Sequence, residues 1–215
     1  MKTVARNEAR QALVEKALEH LARSGPANVH PKEICEELGL SKALVNYHFG
    51  GRDGLITEAM VVGYERYVAE LWDAAERAGT DSVERLFAWV ERQIDWTAKH
   101  PGLAAALNFP ETASGMPLEH AEGAMVRLSE AGERNFANLQ QLTAGAIRAT
   151  RRIPASRKLP QGEAGLQSAL IGWLTLGLSV WNAGRHLPTQ RLAARKFLGL
   201  AKKHMREQIL VLLKG

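Results

Sequence analysis

Two apolar stripes of a few residues each, divided by a single glycine, constrain this chain more than any other feature. Between Val29 and Leu55 the sequence reads VHPKEICEELGLSKALVNYHFGGRDGL. His30 can cap a first helix, and Pro31 occupies its first helical position, where a missing N–H costs nothing. Ile34, Cys35 and Leu38 make one apolar stripe, and Gly39 supplies the left-handed conformation that ends a helix cheaply. Ser41 can cap a second helix, on which Val45 and Phe49 lie four residues apart on one face. Gly50 and Gly51 stop it. Helices this short cannot hide a core alone and must lean on a third. The segment from about Thr3 to Arg23 provides it, with Leu13, Val14, Ala17, Leu18 and Leu21 within one broad helical face and Ser24, Gly25 and Pro26 at its end. With Val45 and Phe49 turned inward, Ala43, Leu44, Asn46 and Tyr47 must point outward. An outward Leu and Tyr on so short an element indicate a surface made to touch something.

Helix-turn-helix units are built in this way, because their second helix has to stand proud to enter a major groove. The run from Gly39 to Phe49, with Arg52 and Leu55 after it, resembles the signature of TetR-type transcriptional regulators. The usual form is a glycine, an apolar residue and a serine, then an apolar–aromatic–aromatic–His/Tyr–Phe run and a basic residue three positions on. Asn46 stands where the first aromatic, often a phosphate-contacting tyrosine, is usual, and Arg52 where lysine is commoner. The detailed resemblance covers roughly the first 55 residues; beyond them only length and helical layout agree.

The resemblance implies an all-α fold. Residues 1–55 would form an N-terminal three-helix bundle with the helix-turn-helix, and residues 56–215 a larger helical ligand-binding and dimerisation domain. It also implies a cytoplasmic, homodimeric regulator without a cofactor: a repressor released from a palindromic operator on double-stranded DNA by a small-molecule effector. Ser41, Lys42, Tyr47, His48 and Arg52 would then contact or lie near phosphates, with Lys32 doing the same from the preceding helix. Ala43, Leu44 and Asn46 would approach base edges, Leu44 suiting a thymine methyl and Asn46 an adenine or a phosphate. Two alternatives stay open: Asn46 as a plain polar surface residue, and Tyr47 with its ring packed on the first helix.

Charge gives weaker guidance than the net of +5 and pI near 9.5 suggest. Residues 1–60 balance eight Lys/Arg with eight Asp/Glu, residues 61–144 carry seven against thirteen, and residues 145–215 thirteen against two. Local placement is more telling: Lys2, Arg6, Arg10, Lys42 and Arg52 can line one side of the bundle while Glu33, Glu36 and Glu37 face away. The C-terminal excess, including Arg148, Arg151, Arg152, Arg157 and Lys158, is either solvated or paired with the acidic middle third, or else attracts an anionic effector or DNA phosphates. A single cysteine, Cys35 on the buried stripe, suits a reducing compartment. Charges from Lys2 to Glu19 interrupt any apolar secretory start.

After Leu55 the pattern is helical throughout. A connecting helix is expected from about Asp53 to Arg77, and another from Asp81 or Ser82 to Lys99. On the latter Trp89 and Trp96, seven apart, make a second apolar flank that needs either another helix or a small-molecule cavity. Pro101, Pro110, Gly115 and Pro117 break up the next stretch. A long helix follows to Arg151, then a basic loop and two final helices. Trp72, Trp89, Trp96, His100, Phe109, Met125 and Trp173 are the candidates for an effector pocket, although core packing accounts for most of the apolar ones equally well and His100, before Pro101, can instead cap a helix. Ala164 to Gly184 contains no charged residue, so that helix is deep in a protein or in a membrane. Gln167, Ser168, Thr175, Ser179 and Asn182, spread around it, argue against a membrane. Leu170, Gly172, Trp173, Gly177 and Trp181 on it, with Phe197, Met205 and Ile209 on the last helix, are expected to form a dimer interface.

Catalytic patterns are missing. The seven histidines show no metal-ligand helix spacing and no HExxH, and neither GxSxG nor a P-loop occurs. Two rival readings remain: a helical small-molecule enzyme that keeps the N-terminal bundle, and a nucleoid-type protein that binds DNA without sequence preference.

Overall fold

The computed structural model describes residues 2–108, 122–183 and 191–215; Phe109 lies outside them, and the side chains of Lys2, Arg6 and Trp181 are likewise outside the description. Every α-helix expected over these residues is present, and no strand occurs among them. The order is α1 (Lys2–Ser24), a 3-10 turn (Pro26–Asn28), α2 (Pro31–Leu38), α3 (Ala43–Phe49), α4 (Arg52–Arg77), α5 (Ser82–Lys99), α6 (Pro101–Asn108), α7 (Glu122–Arg151), α8 (Glu163–Ala183) and α9 (Arg191–Lys214). The chain divides into two compact units, one of Met1–Arg66 with His100–Ala131 and one of Tyr67–Lys99 with Gly132–Gly215.

In the first unit the expected face of α1 is the core: Leu13, Ala17 and Leu21 are wholly buried, with Ile34, Val45, Leu55 and Ile56 packed into the same interior. Each such aliphatic side chain stabilises the fold by roughly 1.5–3 kcal/mol. One element differs from the sequence expectation. Pro101 was expected to interrupt structure, yet it opens α6 at the helix's first turn, where the N–H it lacks would have had no partner. Gly102 explains where α6 goes. A Cβ there would lie 2.4 Å from the Leu21 carbonyl oxygen and 2.5 Å from Gly25 N, so α6 meets the end of α1 backbone to backbone.

The second unit gathers Leu71 and Ala75 of α4, Leu86, Val90 and Ile94 of α5, Leu139 and Ile147 of α7, Ile171 of α8, and Met205, Ile209 and Leu213 of α9 into one core. Asp81 Oδ1 caps α5, accepting from Val83 N at 2.7 Å and Glu84 N at 3.1 Å. Ser168 Oγ donates to Thr143 Oγ1 at 3.0 Å, and Thr175 Oγ1 donates to the Ile171 carbonyl, so these polar groups of α8 are satisfied by protein. Among the described residues no helix is long and apolar enough to cross a membrane. Part of the basic C-terminal third pairs with acids of this unit. Arg206 pairs with Glu84 and Glu91, and Lys202 pairs with Asp95 at 2.6 Å. Arg151 fastens three helix ends, giving Nε to the Leu213 carbonyl at 2.7 Å and Nη1 to Glu163 at 2.6 Å.

Candidate nucleic-acid interface

The turn between α2 and α3 is set by local chemistry. Gly39 adopts φ 63°, ψ 29°, and Leu40 N donates to the Cys35 carbonyl at 2.8 Å, tying off the last turn of α2. Ser41 then presents both its oxygens to the start of α3: Oγ accepts from Ala43 N at 3.3 Å and the carbonyl from Leu44 N at 3.0 Å. His30 precedes α2 in an extended conformation, and its side chain makes no capping bond. Gly50 ends α3 at φ 71°, and its N–H reaches the Asn46 carbonyl at 3.0 Å.

Burial sorts the α3 side chains. Val45 is 2% exposed and anchors the helix, while Phe49 is half-buried beneath the Arg10 guanidinium, whose Cζ lies 5.4 Å from the ring centroid. Ser41, Lys42, Ala43 and Asn46 are exposed, and Tyr47 is 58% exposed with its ring edge-on to His48. Tyr47 therefore does not bury its ring on α1. Leu44 and His48 are half-buried, so Leu44 is less outward than its helical position implied. Lys32 stands exposed on α2, 3.7 Å from Glu36. Glu37 turns toward α1 instead of away, its Oε1 3.0 Å from His20 Nε2. Desolvation pushes the Glu37 carboxyl up, but the His20 ring and Lys16 outweigh it and hold the group below its ordinary value.

His30, Lys32, Lys42, Asn46 and Arg52 line a cleft of about 400 Å³ floored by Pro31 and Val45. Arg52, expected beside a phosphate, has a second engagement. Its Nε donates to the Val29 carbonyl at 2.9 Å, Nη2 to the Pro26 carbonyl at 2.5 Å, and Nη1 to Asp53 at 3.2 Å. Two of its five N–H donors thus hold the start of α4 to the loop before α2, and a third stays on α4 with Asp53. Cys35 is buried, and desolvation pushes its thiol up, as befits a side chain packed in the core. Residues that the sequence did not single out complete the support. Gly54 abuts the Phe49 carbonyl, and Glu58 receives Arg10 at 2.9 Å as well as Arg127. Only the small size of Gly54, one turn after the Phe49 stop, hinted at such a contact.

An exposed reading helix on a buried two-helix support is the geometry of a DNA-reading head, and residues 13–59 match the family model described as bacterial regulatory proteins, tetR family. The match covers this head and not the rest of the chain. No curated protein matches the chain. The TetR fold extends over nearly the full length in solved structures. A tetR-family regulatory protein from Rhodococcus RHA1 is 17% identical with a TM-score of 0.60, covering 92% of this chain and 96% of its own. The fatty acid degradation regulator FadR from Bacillus halodurans is 13% identical with a TM-score of 0.63, covering 93% and 97%. The ketosteroid regulator KstR2 of Mycobacterium tuberculosis is 13% identical with a TM-score of 0.58, covering 95% and 93%.

The effector candidates are divided between the two units. Trp72, Trp89, Trp96 and Trp173 belong to the second unit, His100 and Met125 to the first. Trp72 meets Trp89 with ring centroids 6.4 Å apart and donates Nε1 to Asn135 at 2.9 Å; Tyr67 meets Trp96 at 4.5 Å. Of the two openings left for the tryptophan flank of α5, α4 therefore supplies a helix partner. Trp173 is 65% exposed on α8. Leu170 and Gly172 are half-buried, Gly177 is exposed, and a Cβ on either glycine would meet nothing within 4 Å. Phe197 is half-buried, whereas Met205 and Ile209, expected at the interface, are buried within the subunit's own core and expose almost nothing to a partner.

Proposed function

We propose that this DNA-binding regulator acts as a homodimeric, sequence-specific repressor in the cytoplasm, released from a palindromic operator by a small-molecule effector. The observation that carries the DNA-reading half is the exposure of Lys42, Ala43, Asn46 and Tyr47 on a helix pinned from behind by Val45. DNA recognition is assigned to residues 1–55, and effector binding and dimerisation to residues 56–215.

On docking, Lys32, Ser41, Lys42, Tyr47 and His48 meet phosphates and fix the register, with Arg52 holding the cleft that seats the backbone. Ala43, Leu44 and Asn46 approach base edges, where a thymine methyl suits Leu44 and an adenine edge suits Asn46. Dimerisation is supported by the open α8 face, where Leu166, Trp173 and Leu174 are exposed alongside Leu200 and Val211 of α9. A two-fold pair presents two reading helices about one duplex turn apart. An effector releases DNA only to the extent that it binds the released form more tightly.

The test is selection from random duplexes with the full chain, followed by a nuclease footprint. A near-palindromic protected site is expected. Protection without a dyad, or without sequence preference, overturns the two-headed reading.

A further inference from the structure

The end of α3 is held by a chain of charges that leaves the shared reading head. Arg10 lies over the Phe49 ring and also donates Nη2 to Glu58 Oε2 at 2.9 Å. The other oxygen of the same carboxylate, Oε1, accepts from Nη2 of Arg127 on α7. The Glu58 side chain is 19% exposed, against 43% for Arg10 and 51% for Arg127. The anion is therefore the secluded member, and two more exposed cations reach in to it from different helices. Arg127 lies beyond residues 13–59, and its helix continues from Gly132 into the second unit.

We propose that Glu58 is a positioning residue for DNA recognition, through which Arg127 sets where Arg10 rests and hence the tilt of the Phe49 end of α3. One carboxylate divides its two oxygens between the guanidiniums. Withdrawing Arg127 frees Oε1 for Arg10, which then slides across the carboxylate and off the aromatic face it covers. A shift of α7 is thereby written into the pose of the reading helix without any contact between Arg127 and DNA. The assignment rests on the DNA-binding reading above.

The experiment uses the full chain with Arg127→Ala, Glu58→Gln, the double variant and Arg127→Lys, each checked for an intact thermal transition. Amide exchange over residues 43–49 is measured without DNA, and affinity for the selected operator duplex is measured across salt concentrations. Arg127→Ala is expected to raise exchange over α3 and to change operator affinity by about fivefold, the lower end of ordinary coupling between sites. The slope against salt should stay unchanged, Arg127→Lys should restore part of the effect, and Glu58→Gln should leave Arg127→Ala nothing further to change. Unaltered exchange in Arg127→Ala overturns the proposal. So do losses that multiply in the double variant, or a salt slope reduced by about one, the mark of a direct phosphate contact. If the wild-type chain selects no duplex, the DNA-binding reading fails, while the exchange arm still decides the role of Glu58.

Discussion

Gly54 approaches the end of the reading helix so closely that a Cβ on it would stand 1.9 Å from the Phe49 carbonyl oxygen. The start of α4 and the last turn of α3 are in backbone contact there. Gly54→Ala gains helix propensity worth about 1 kcal/mol. The clash with a backbone atom outweighs it, and net destabilisation of about 2 kcal/mol is expected from overpacking. Denaturant melts would check this; a variant as stable as the wild type would mean that the two helices can part freely.

Arg52 should behave as a structural clamp more than as a phosphate contact. Arg52→Lys keeps the charge but cannot reach the Val29 and Pro26 carbonyls together. A loss of about 1–3 kcal/mol in stability is expected, with the salt slope of DNA binding little changed. An unchanged melt with a shallower salt slope would reverse the assignment.

The separation between reading and anchoring can be measured on neighbouring residues. Leu44→Ala should relax preference at particular base pairs by about 1–3 kcal/mol while leaving the salt slope alone. Lys42→Ala should weaken all sequences alike and reduce the slope by about one. Identical, sequence-blind losses from the pair would remove the distinction.

On the face of α8 proposed for dimerisation, Gly172→Leu fills open space, and Trp173→Glu places a charge on an exposed apolar surface. Both should leave the fold intact and shift the chain toward monomer in light scattering. An undisturbed dimer in both variants would take this face of α8 out of the interface.

Arg66 bonds to Glu15 across α1 and α4, and this hydrogen bond, more than the accompanying charge attraction, lowers the Glu15 carboxyl below its ordinary 4.5 in spite of partial burial. A depressed acid contributes stability above its unfolded value and loses it as pH falls through the folded one. The pair is largely exposed, so the effect is small, about 0.2–1 kcal/mol. Melting curves of wild type and Glu15→Gln should differ slightly at neutral pH and converge below about pH 4; a gap that widens toward acid would contradict this.

The helix-turn-helix was readable because its punctuation is local. Gly39, Ser41 and Gly50 each do in the structure what their chemistry dictates within a few residues. Pro101 was not readable, since proline breaks a helix and starts one equally well, and only the approach of Gly102 to Leu21 selects the start. Arg52 and Arg10 were legible as basic and near the head; their carbonyl and carboxylate partners depend on chain returning from 23 to 48 residues away. Met205 and Ile209 show a different limit. An apolar stripe announces that it will be covered and is silent about whether its own subunit or a second one does the covering.

The seam between Gly102 and the Leu21–Gly25 turn bears on how this protein can be dissected. Main chain rests directly on main chain there, between buried Leu21 on one side and Leu103 on the other. Cutting the gene after the reading head would strip away that cover, baring Leu18 and Leu21 and leaving α1 to fray. The excised head should therefore unfold far more readily than the same residues in place, because the smallest piece that folds is larger than the helix-turn-helix itself.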